Sequence, residues 1–324
     1  NRPEELEELL SRLLLLEYSK EYEIVIIKDG STLMSDGICL KFQNKLNISY
    51  YYKANSGPGD SRNYGMKVAK GDYFIIFDSD CLIPPNYLNE VETELESNFV
   101  DCFGGSDAAH SSFTNIQKAI NFAMTSFLTT GGIRGGSEKI TKFQPRSFNM
   151  GISKVAFETS NGFGNIHPGE DPDLSIRLWK LGFKTRLFPN AFVYHKRRID
   201  WEKFSTQVNK FGKARPILDS WYPEYSKITF FFPTLFVLGF LFSFIMTFFD
   251  VNIFIILYFI YFVLIIITST IQNQSIAIGF LSIYAVINQF WGYGIGFLSS
   301  FIRVRILKQQ PVKAFPELFF KPKL

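Results

Sequence analysis

The chain has few cysteines and no disulfide or metal pattern among those it has. Cys39, Cys81 and Cys102 are the only cysteines in 324 residues, and they are scattered without metal-ligand spacing. This usage argues against a disulfide framework and a cysteine-ligated zinc centre, so we expect reduced cytosolic thiols or core residues. The net charge of +4 is modest for this length, and we expect no nucleic-acid partner.

Charge is missing altogether from one long stretch. Residues 228–249 contain no charged side chain and are long enough to cross a bilayer, and residues 251–271 and 276–302 are further candidates. Each run exceeds the roughly 10 to 14 residues that a buried core helix would need. Because the composition changes after Lys227, we predict a soluble region over 1–227, a membrane region over 228–302 and a basic tail over 303–324.

An acidic motif follows an apolar strand in the soluble region. Tyr73–Phe77 reads as a buried strand that leads into Asp78-Ser79-Asp80. Side chains two apart on an extended backbone point the same way, so both carboxylates can face one spot. That arrangement suits magnesium or manganese, which keep open positions for the phosphates of a nucleotide. The alternative is an acidic turn at the end of a strand.

Strands and helices alternate through this region, which predicts a layered α/β sheet with parallel strands. Three successive strands end in polar loops. These loops contain Asp29, the segment 57–62, and Asp78 with Asp80. Ligands collect at the carboxyl edge of such sheets, so we expect the three loops to meet there.

A second acidic cluster lies at Gly169-Glu170-Asp171-Pro172-Asp173, directly before a helical pattern. Asp171 suits the N-cap position, and Pro172 suits the first helical position. The functional alternative is that Glu170 or Asp171 acts as a general base that takes a proton from a hydroxyl group. A carboxylate held at a helix start can serve both purposes.

The order of the motifs resembles that of family 2 glycosyltransferases over about residues 1–216. The matching segments are Asn1-Arg2-Pro3-Glu4-Glu5, Lys28-Asp29-Gly30-Ser31, Gly57-Pro58-Gly59 with Ser61-Arg62-Asn63, Gly71-Asp72-Tyr73 leading to Asp78-Ser79-Asp80, Asn149-Met150-Gly151-Ile152, and Gly169-Glu170-Asp171. The resemblance, to a bacterial membrane-anchored type, implies a GT-A fold with a mixed sheet and helices on both faces. It also implies a nucleotide-sugar donor, a divalent cation (Mn²⁺ or Mg²⁺), and inverting transfer.

The same resemblance assigns expected roles to individual residues. Asp29 would read the nucleotide base, and Arg62 would contact the phosphate or ribose of the donor. Asp78 and Asp80 would bind the donor ribose and the metal. Asp171, with Glu170 beside it, would be the general base that activates the acceptor. His195 follows a predicted strand and is either a further metal ligand or a solvated loop histidine. Asn149 is expected on the acceptor side.

The sequence departs from the family in two places. Lys28 precedes Asp29 where the family has a second aspartate. Gln207-Val208-Asn209-Lys210-Phe211 replaces the Gln-x-x-Arg-Trp of processive members. We therefore expect single addition to a lipid-linked or membrane-proximal glycan acceptor, with Gln207, Lys210 and Arg215 as acceptor candidates. Their alternative role is a solvated basic face beside the membrane.

The expected location is the inner cell membrane, with several crossings and a cytoplasmic catalytic region. The basic residues that follow the last apolar run belong on the cytoplasmic face, as does a domain that uses a nucleotide donor. Three crossings cannot place both on one side. We therefore expect residues 276–302, which contain Asn288, Gln289 and the series Gly292, Gly294 and Gly296, to be re-entrant or to lie in the interface.

Three further expectations concern the start of the chain, a loop and the function. By resemblance the chain opens just after the family's first strand, so we expect a truncated sequence whose neighbouring strands lack a partner. The glycine-rich residues 131–136 could form a lid over the donor or acceptor, or a plain loop. The alternative functions are a nucleotidyltransferase and a non-catalytic membrane partner with a relic donor site.

Overall fold

The chain divides into two compact units that it enters alternately. The computed structural model describes residues 2–33, 35–108, 110–131, 142–196 and 200–320. The first unit comprises residues 1–110, 136–196 and 319–324, and the second comprises 111–135 and 197–318. The chain thus leaves the first unit twice and returns to it twice.

The first unit is an α/β domain. Its described elements, in chain order, are α1 (Pro3–Leu13), β1 (Ile24–Asp29), α2 (Asp36–Phe42), β2 (Ile48–Lys53), α3 (Pro58–Val68), β3 (Tyr73–Phe77), β4 (Cys81–Leu82), α4 (Tyr87–Ser97), β5 (Cys102–Ala108), β6 (Asn149–Ser153), α7 (Lys154–Ser160), α8 (Glu170–Lys180) and β7 (Thr185–His195). Helices α5 (Asn115–Thr125) and α6 (Phe127–Thr130), between β5 and β6, belong to the second unit.

The strands form two sheets. β1 and β2 pair in parallel, with Asp29 opposite Lys53. The other five strands form a sheet of order β3-β6-β5-β7-β4. In that sheet only β5 and β7 run parallel, and the other three pairings are antiparallel. The mixed sheet is confirmed. The parallel pairing expected from the alternation of elements holds for β1 with β2 and for β5 with β7, and the other pairings differ because the alternation does not fix strand direction.

Helices cover both faces of the larger sheet. Successive side chains of β3 point to opposite faces: Phe74 and Ile76 join a core with α7 and α8. Tyr73, Ile75 and Phe77 pack against a second core that includes residues of α1, α2 and α4. This arrangement places the carboxyl end of β3, where Asp78 follows, at the edge of the sheet.

The second unit is helical. Its described elements are α5 (Asn115–Thr125), α6 (Phe127–Thr130), α9 (Trp201–Trp221), α10 (Phe232–Thr247), α11 (Ile253–Asn273), α12 (Ile276–Ser300), a π-helical continuation of α12 (Phe301–Ile306) and α13 (Pro311–Ala314), with short 3₁₀ turns at Pro223–Tyr225, Ile228–Phe231 and Pro316–Leu318. The helices α5 and α9 lie within the expected catalytic region 1–227, yet their apolar sides fill the core around α12.

Helices α9 and α12 approach closely. A Cβ at Gly296 would overlap the carbonyl of Asn209, and one at Gly212 would overlap the carbonyl of Tyr293. The amide of Asn209 donates to the carbonyl of Gly292 at 3.0 Å. Glycines in α12 therefore serve contact between the two helix backbones.

Three helical stretches are long and apolar enough to cross a membrane: Ile228–Thr247, Ile253–Asn273 and Ile276–Ile306. The third is one continuous helix, so the re-entrant form expected for it was wrong. Cys39, Cys81 and Cys102 are free and buried, as expected of reduced core thiols.

Candidate functional site

Asp29 organises the loop that follows β2. Its carboxylate accepts hydrogen bonds from the backbone N–H groups of Ser56 at 3.0 Å and Gly57 at 3.1 Å. Lys53, its neighbour across the parallel pair, donates to Asp29 Oδ1 at 2.8 Å. Because these donors already engage the carboxylate, Asp29 fixes the loop that leads into α3. Its expected contact with a nucleotide base stays a prediction.

Arg62 on α3 joins two carboxylates that are far apart in the chain. Its Nη2 donates to Asp78 Oδ1 at 2.8 Å, and its Nη1 donates to Glu170 Oε1 at 3.1 Å. Glu170 also lies 2.8 Å from Nδ1 of His167. The structure thus brings the carboxyl end of β3 and the start of α8 together around one largely buried guanidinium group.

Asp171 is the least engaged of the three acids at the start of α8. The N-cap residue is Gly169 and the helix begins at Glu170, so the expectation that Asp171 caps the helix was wrong. Glu170 binds Arg62, and Asp173 forms an ion pair with Arg177 one turn later, at 2.8 Å. Oδ1 of Asp171 is buried and has no hydrogen-bond partner among the residues that the structure describes. A buried, unpaired carboxylate oxygen is costly and needs an explanation.

The electrostatic environment shifts the pKa values of the adjacent carboxyl groups of Glu170 and Asp171 in opposite directions. Burial and the charge of Glu170 raise the pKa of Asp171 to about 6, against the opposing charges of Arg62 and Arg146 and a hydrogen bond with Ser147. Burial alone would also raise the pKa of Glu170, but the hydrogen bond from His167 and the charge of Arg62 lower it. Glu170 is thereby held as a fixed anion, and Asp171 is tuned to exchange a proton near neutral pH.

Asp80 and His195 meet at the other end of the acidic motif. Asp80 Oδ1 lies 3.3 Å from Nε2 of His195, and Oδ2 accepts from Nη1 of Arg2 at 2.9 Å. Burial would raise the pKa of Asp80, but the adjacent His195 and the charge of Arg2 hold it well below its usual range. Asp80 is therefore an anion across the physiological pH range.

This pair fits a divalent cation. Within the described part of the chain, Oδ1 of Asp80 and Nδ1 of His195 are buried and form no hydrogen bond, so each could coordinate an ion. Asp80, Cys81 and His195 each offer an atom within 4.8 Å of the others. Burial raises the pKa of the Cys81 thiol far above its usual range, and a protonated thiol is a poor ligand for Mg²⁺ or Mn²⁺. The usable ligands are one carboxylate and one imidazole.

The acceptor candidates separate into two groups. Asn149 is fully buried and bonds to the hydroxyl of Tyr87 at 2.6 Å and the carbonyl of Ala191 at 2.9 Å. Its amide joins strands and helix, and its expected acceptor role stays a prediction. Gln207, Lys210 and Arg215 lie on α9 in the second unit, and their acceptor role stays a prediction.

Sequence reasoning did not find several residues that contact the site. Lys53, Arg2 and His167 each pair with a residue that it did find: Asp29, Asp80 and Glu170, respectively. Lys53 carried a usable signal, since it ends the strand parallel to the one that Asp29 ends. His167 and its partner Glu170 are three residues apart, and their contact can be predicted only once the start of the helix is known.

Phe320 is a further residue whose contact with the site could not be predicted from the sequence. It packs on Gly57, where φ is +96° and a Cβ would overlap the ring. Only glycine tolerates both conditions at this position. The lid expected at residues 131–136 falls almost wholly on residues 132–141, which lie outside the described residues.

Comparison with known families agrees with this arrangement. Residues 1–159 match the model of glycosyl transferase family 2. A mannosyltransferase, PcManGT from Pyrobaculum calidifontis, solved with GDP-Man and Mn²⁺, has a similar structure, with a TM-score of 0.54 and 12% identity. The similarity covers 98% of this chain and 76% of that one. The GT-A fold expected from the motifs is confirmed.

Curated proteins with similar sequences include two from Gram-positive bacteria. The probable glycosyltransferase YdaM of Bacillus subtilis is 24% identical over 253 residues, which is 69% of this chain and 59% of the relative. The poly(ribitol-phosphate) beta-N-acetylglucosaminyltransferase TarS of Staphylococcus aureus is 34% identical over 97 residues, 29% of this chain and 16% of the relative. The chain spans less than two thirds of the length of these curated relatives.

Proposed function

We propose that the protein transfers a sugar from a nucleoside-diphosphate sugar to a hydroxyl group of a membrane-proximal acceptor, with inversion at the anomeric carbon. The observation that carries this proposal is Asp171: a carboxylate with one buried, unpartnered oxygen, beside an arginine that links Asp78 to Glu170. The family of residues 1–159 supports the same reaction class.

The reaction needs one base and a means of stabilising the leaving group. The Asp171 carboxylate takes the proton of the acceptor hydroxyl while the acceptor oxygen bonds to the anomeric carbon. The bond from that carbon to the diphosphate oxygen breaks, and its electron pair leaves with the diphosphate. Arg62 places a fixed positive charge at the edge of the sheet where donor phosphates bind. Asp80 and His195 would hold a divalent cation, which would offset the charge of the departing diphosphate.

The acceptor is proposed to be lipid-linked or a glycan in cell-surface polysaccharide synthesis. Helices long and apolar enough for a membrane support a membrane-bound enzyme, and TarS, by its name, adds N-acetylglucosamine to a poly(ribitol-phosphate). We place the first unit in the cytoplasm, where nucleotide sugars are made. Single addition is favoured over polymerisation because α9 contains Lys210-Phe211 where processive members have Arg-Trp.

A donor panel tests the proposal. Membranes that contain the full chain are incubated with Mn²⁺ and labelled UDP-, GDP- and dTDP-sugars, and transfer and hydrolysis are measured. We expect one donor to be consumed with release of the nucleoside diphosphate. Release of pyrophosphate with transfer of the nucleotidyl group would instead identify a nucleotidyltransferase. Equal turnover by membranes without the protein would reject an enzymatic role.

A further inference from the structure

The path of the chain limits the number of membrane crossings. Residues 200–318 belong to the second unit, but the next two residues return to the first. The backbone N–H of Phe320 donates to the carbonyl of Asn165 at 3.0 Å, and Phe319 forms an antiparallel β-bridge with Ile166. Residues bonded in this way lie on one side of a membrane. The intervening segment therefore crosses an even number of times, and three crossings are excluded.

Helices α10 and α11 have the form of a two-helix membrane hairpin. Phe236 on α10 contacts Tyr261 on α11 with ring centroids 5.4 Å apart. Nearer the connecting turn, Phe242 contacts Phe254 with centroids 5.5 Å apart. Both helices run antiparallel and expose large apolar side chains, which include Leu235, Leu238, Leu241, Phe259, Ile260 and Ile267. An apolar outer surface of this kind is typical of a segment that faces lipid.

Helix α12 stays near the base of this hairpin, the end opposite its turn. At one point Gly279 closely approaches Ile266 and Thr270 near the end of α11. Fifteen residues later, the hydroxyl of Thr234, near the start of α10, donates to the carbonyl of Gly294 at 3.0 Å. Fifteen helical residues span about 22 Å. A helix parallel to the hairpin would have reached the turn over that distance, so α12 runs across the base.

One side of α12 is an exposed apolar stripe. Its members recur every three, four or seven residues along the helix and are exposed: Ile276, Phe280, Tyr284, Trp291, Ile295 and Leu298. The opposite side is buried, with Ser282, Ala285 and Gly296 among its residues. Tyrosine and tryptophan in such a stripe favour the boundary between headgroups and acyl chains.

We propose that α10 and α11 are the two crossings among the described helices and that α12 lies in the membrane interface. The stripe then rests on the lipid surface, and the buried side packs on α5 and α9. Crossing number and helix orientation do not depend on glycosyl transfer, so the inference stands or falls separately from the proposed function.

Depth measurement tests the orientation of α12. Spin labels are attached to Phe280→Cys and Ile295→Cys in the full chain, reconstituted in vesicles of phosphatidylethanolamine and phosphatidylglycerol. The protein without an added cysteine controls for labelling of its three buried native thiols. We expect the two labels at similar, shallow depths. A helix that spans the membrane would place them at depths that differ by about 22 Å, which would overturn the proposal.

Accessibility to a membrane-impermeant maleimide in sealed vesicles tests the crossing number. The variants are Asn252→Cys in the hairpin turn, Gln272→Cys at the end of α11 and Gln310→Cys beyond α12. We expect Gln272→Cys and Gln310→Cys to label from the same side and Asn252→Cys from the opposite side. Labelling of Gln272→Cys and Gln310→Cys from opposite sides would make α12 a crossing. Labelling of all three from one side would rule out the hairpin crossing.

Discussion

Asp171→Asn is expected to lower the rate of sugar transfer by about a hundredfold to ten-thousandfold, the usual contribution of a general base. The amide keeps the size of the side chain but cannot take the proton of the acceptor. Donor affinity is expected to stay within about a factor of three, because the contacts around Arg62 involve Glu170 and Asp78. The measurement pairs a transfer rate with a donor titration on the same purified full chain.

Asp173→Asn is the matched control, since it makes the same chemical change two residues along the same helix. Asp173 forms an ion pair with Arg177, so its substitution should lower the unfolding temperature and leave the transfer rate per folded molecule nearly unchanged. Asp171→Asn should show the reverse, with no loss of stability, because the fold already penalises the charged form of Asp171. Equal transfer rates in wild type and Asp171→Asn would remove Asp171 as the base.

The pH dependence of transfer gives a second readout for the same residue. A base works in its ionised form, and the pKa of Asp171 is raised to about 6. Transfer should therefore rise with pH up to about 6 and level off above it, falling about tenfold per pH unit below. The residual rate of Asp171→Asn should lack this step.

Arg62→Met is expected to destabilise the protein by about 3 to 5 kcal/mol, the usual cost of removing one partner of a buried ion pair. The substitution leaves Glu170, whose side chain is 5% exposed, and Asp78 without their shared cation. Arg62→Lys keeps the charge, but its single ammonium group cannot bind two carboxylates as the guanidinium group does. We therefore expect a loss of stability smaller than that of Arg62→Met. Unfolding in detergent and donor affinity are measured together.

Two further variants separate the site from general stability. Arg186→Met removes a guanidinium that pairs with Glu94 on α4, so it should lower stability while leaving donor affinity unchanged. Adding Glu170→Gln to Arg62→Met neutralises the stranded carboxylate and should recover part of the lost stability. Stability losses that simply add in the double variant would contradict the proposed pairing.

The sequence predicted which segments come together better than it predicted the contacts of their side chains. Spacing and motif order identified Arg62, Asp78, Glu170 and Asp171, which lie on α3, after β3 and on α8. Which acid binds Arg62 depends on a contact between residues 108 apart in the chain, and such a long-range contact cannot be read from a local pattern. The pairing of Asp173 with Arg177 follows i, i+4 spacing and was readable in principle.

The fold was harder to predict where the chain passes between units. Strands β5 and β6 are separated by α5 and α6, which pack in the second unit, so nothing local indicates that these strands pair antiparallel. Helix α9 has enough lysine and arginine to read as part of the soluble region. Its apolar residues Phe204 and Val208 instead join the core around α12. The burial of these apolar residues, rather than the composition of α9, determines the unit to which α9 belongs.

Manganese binding tests most directly whether Asp80 and His195 form the metal end of one donor site. Mn²⁺ is titrated into the full chain with and without UDP or GDP and followed by electron paramagnetic resonance. We predict one bound ion whose affinity increases with the nucleotide, lost in both Asp80→Asn and His195→Ala and kept in His167→Ala. Nucleotide-dependent binding that survives both Asp80→Asn and His195→Ala would contradict the account.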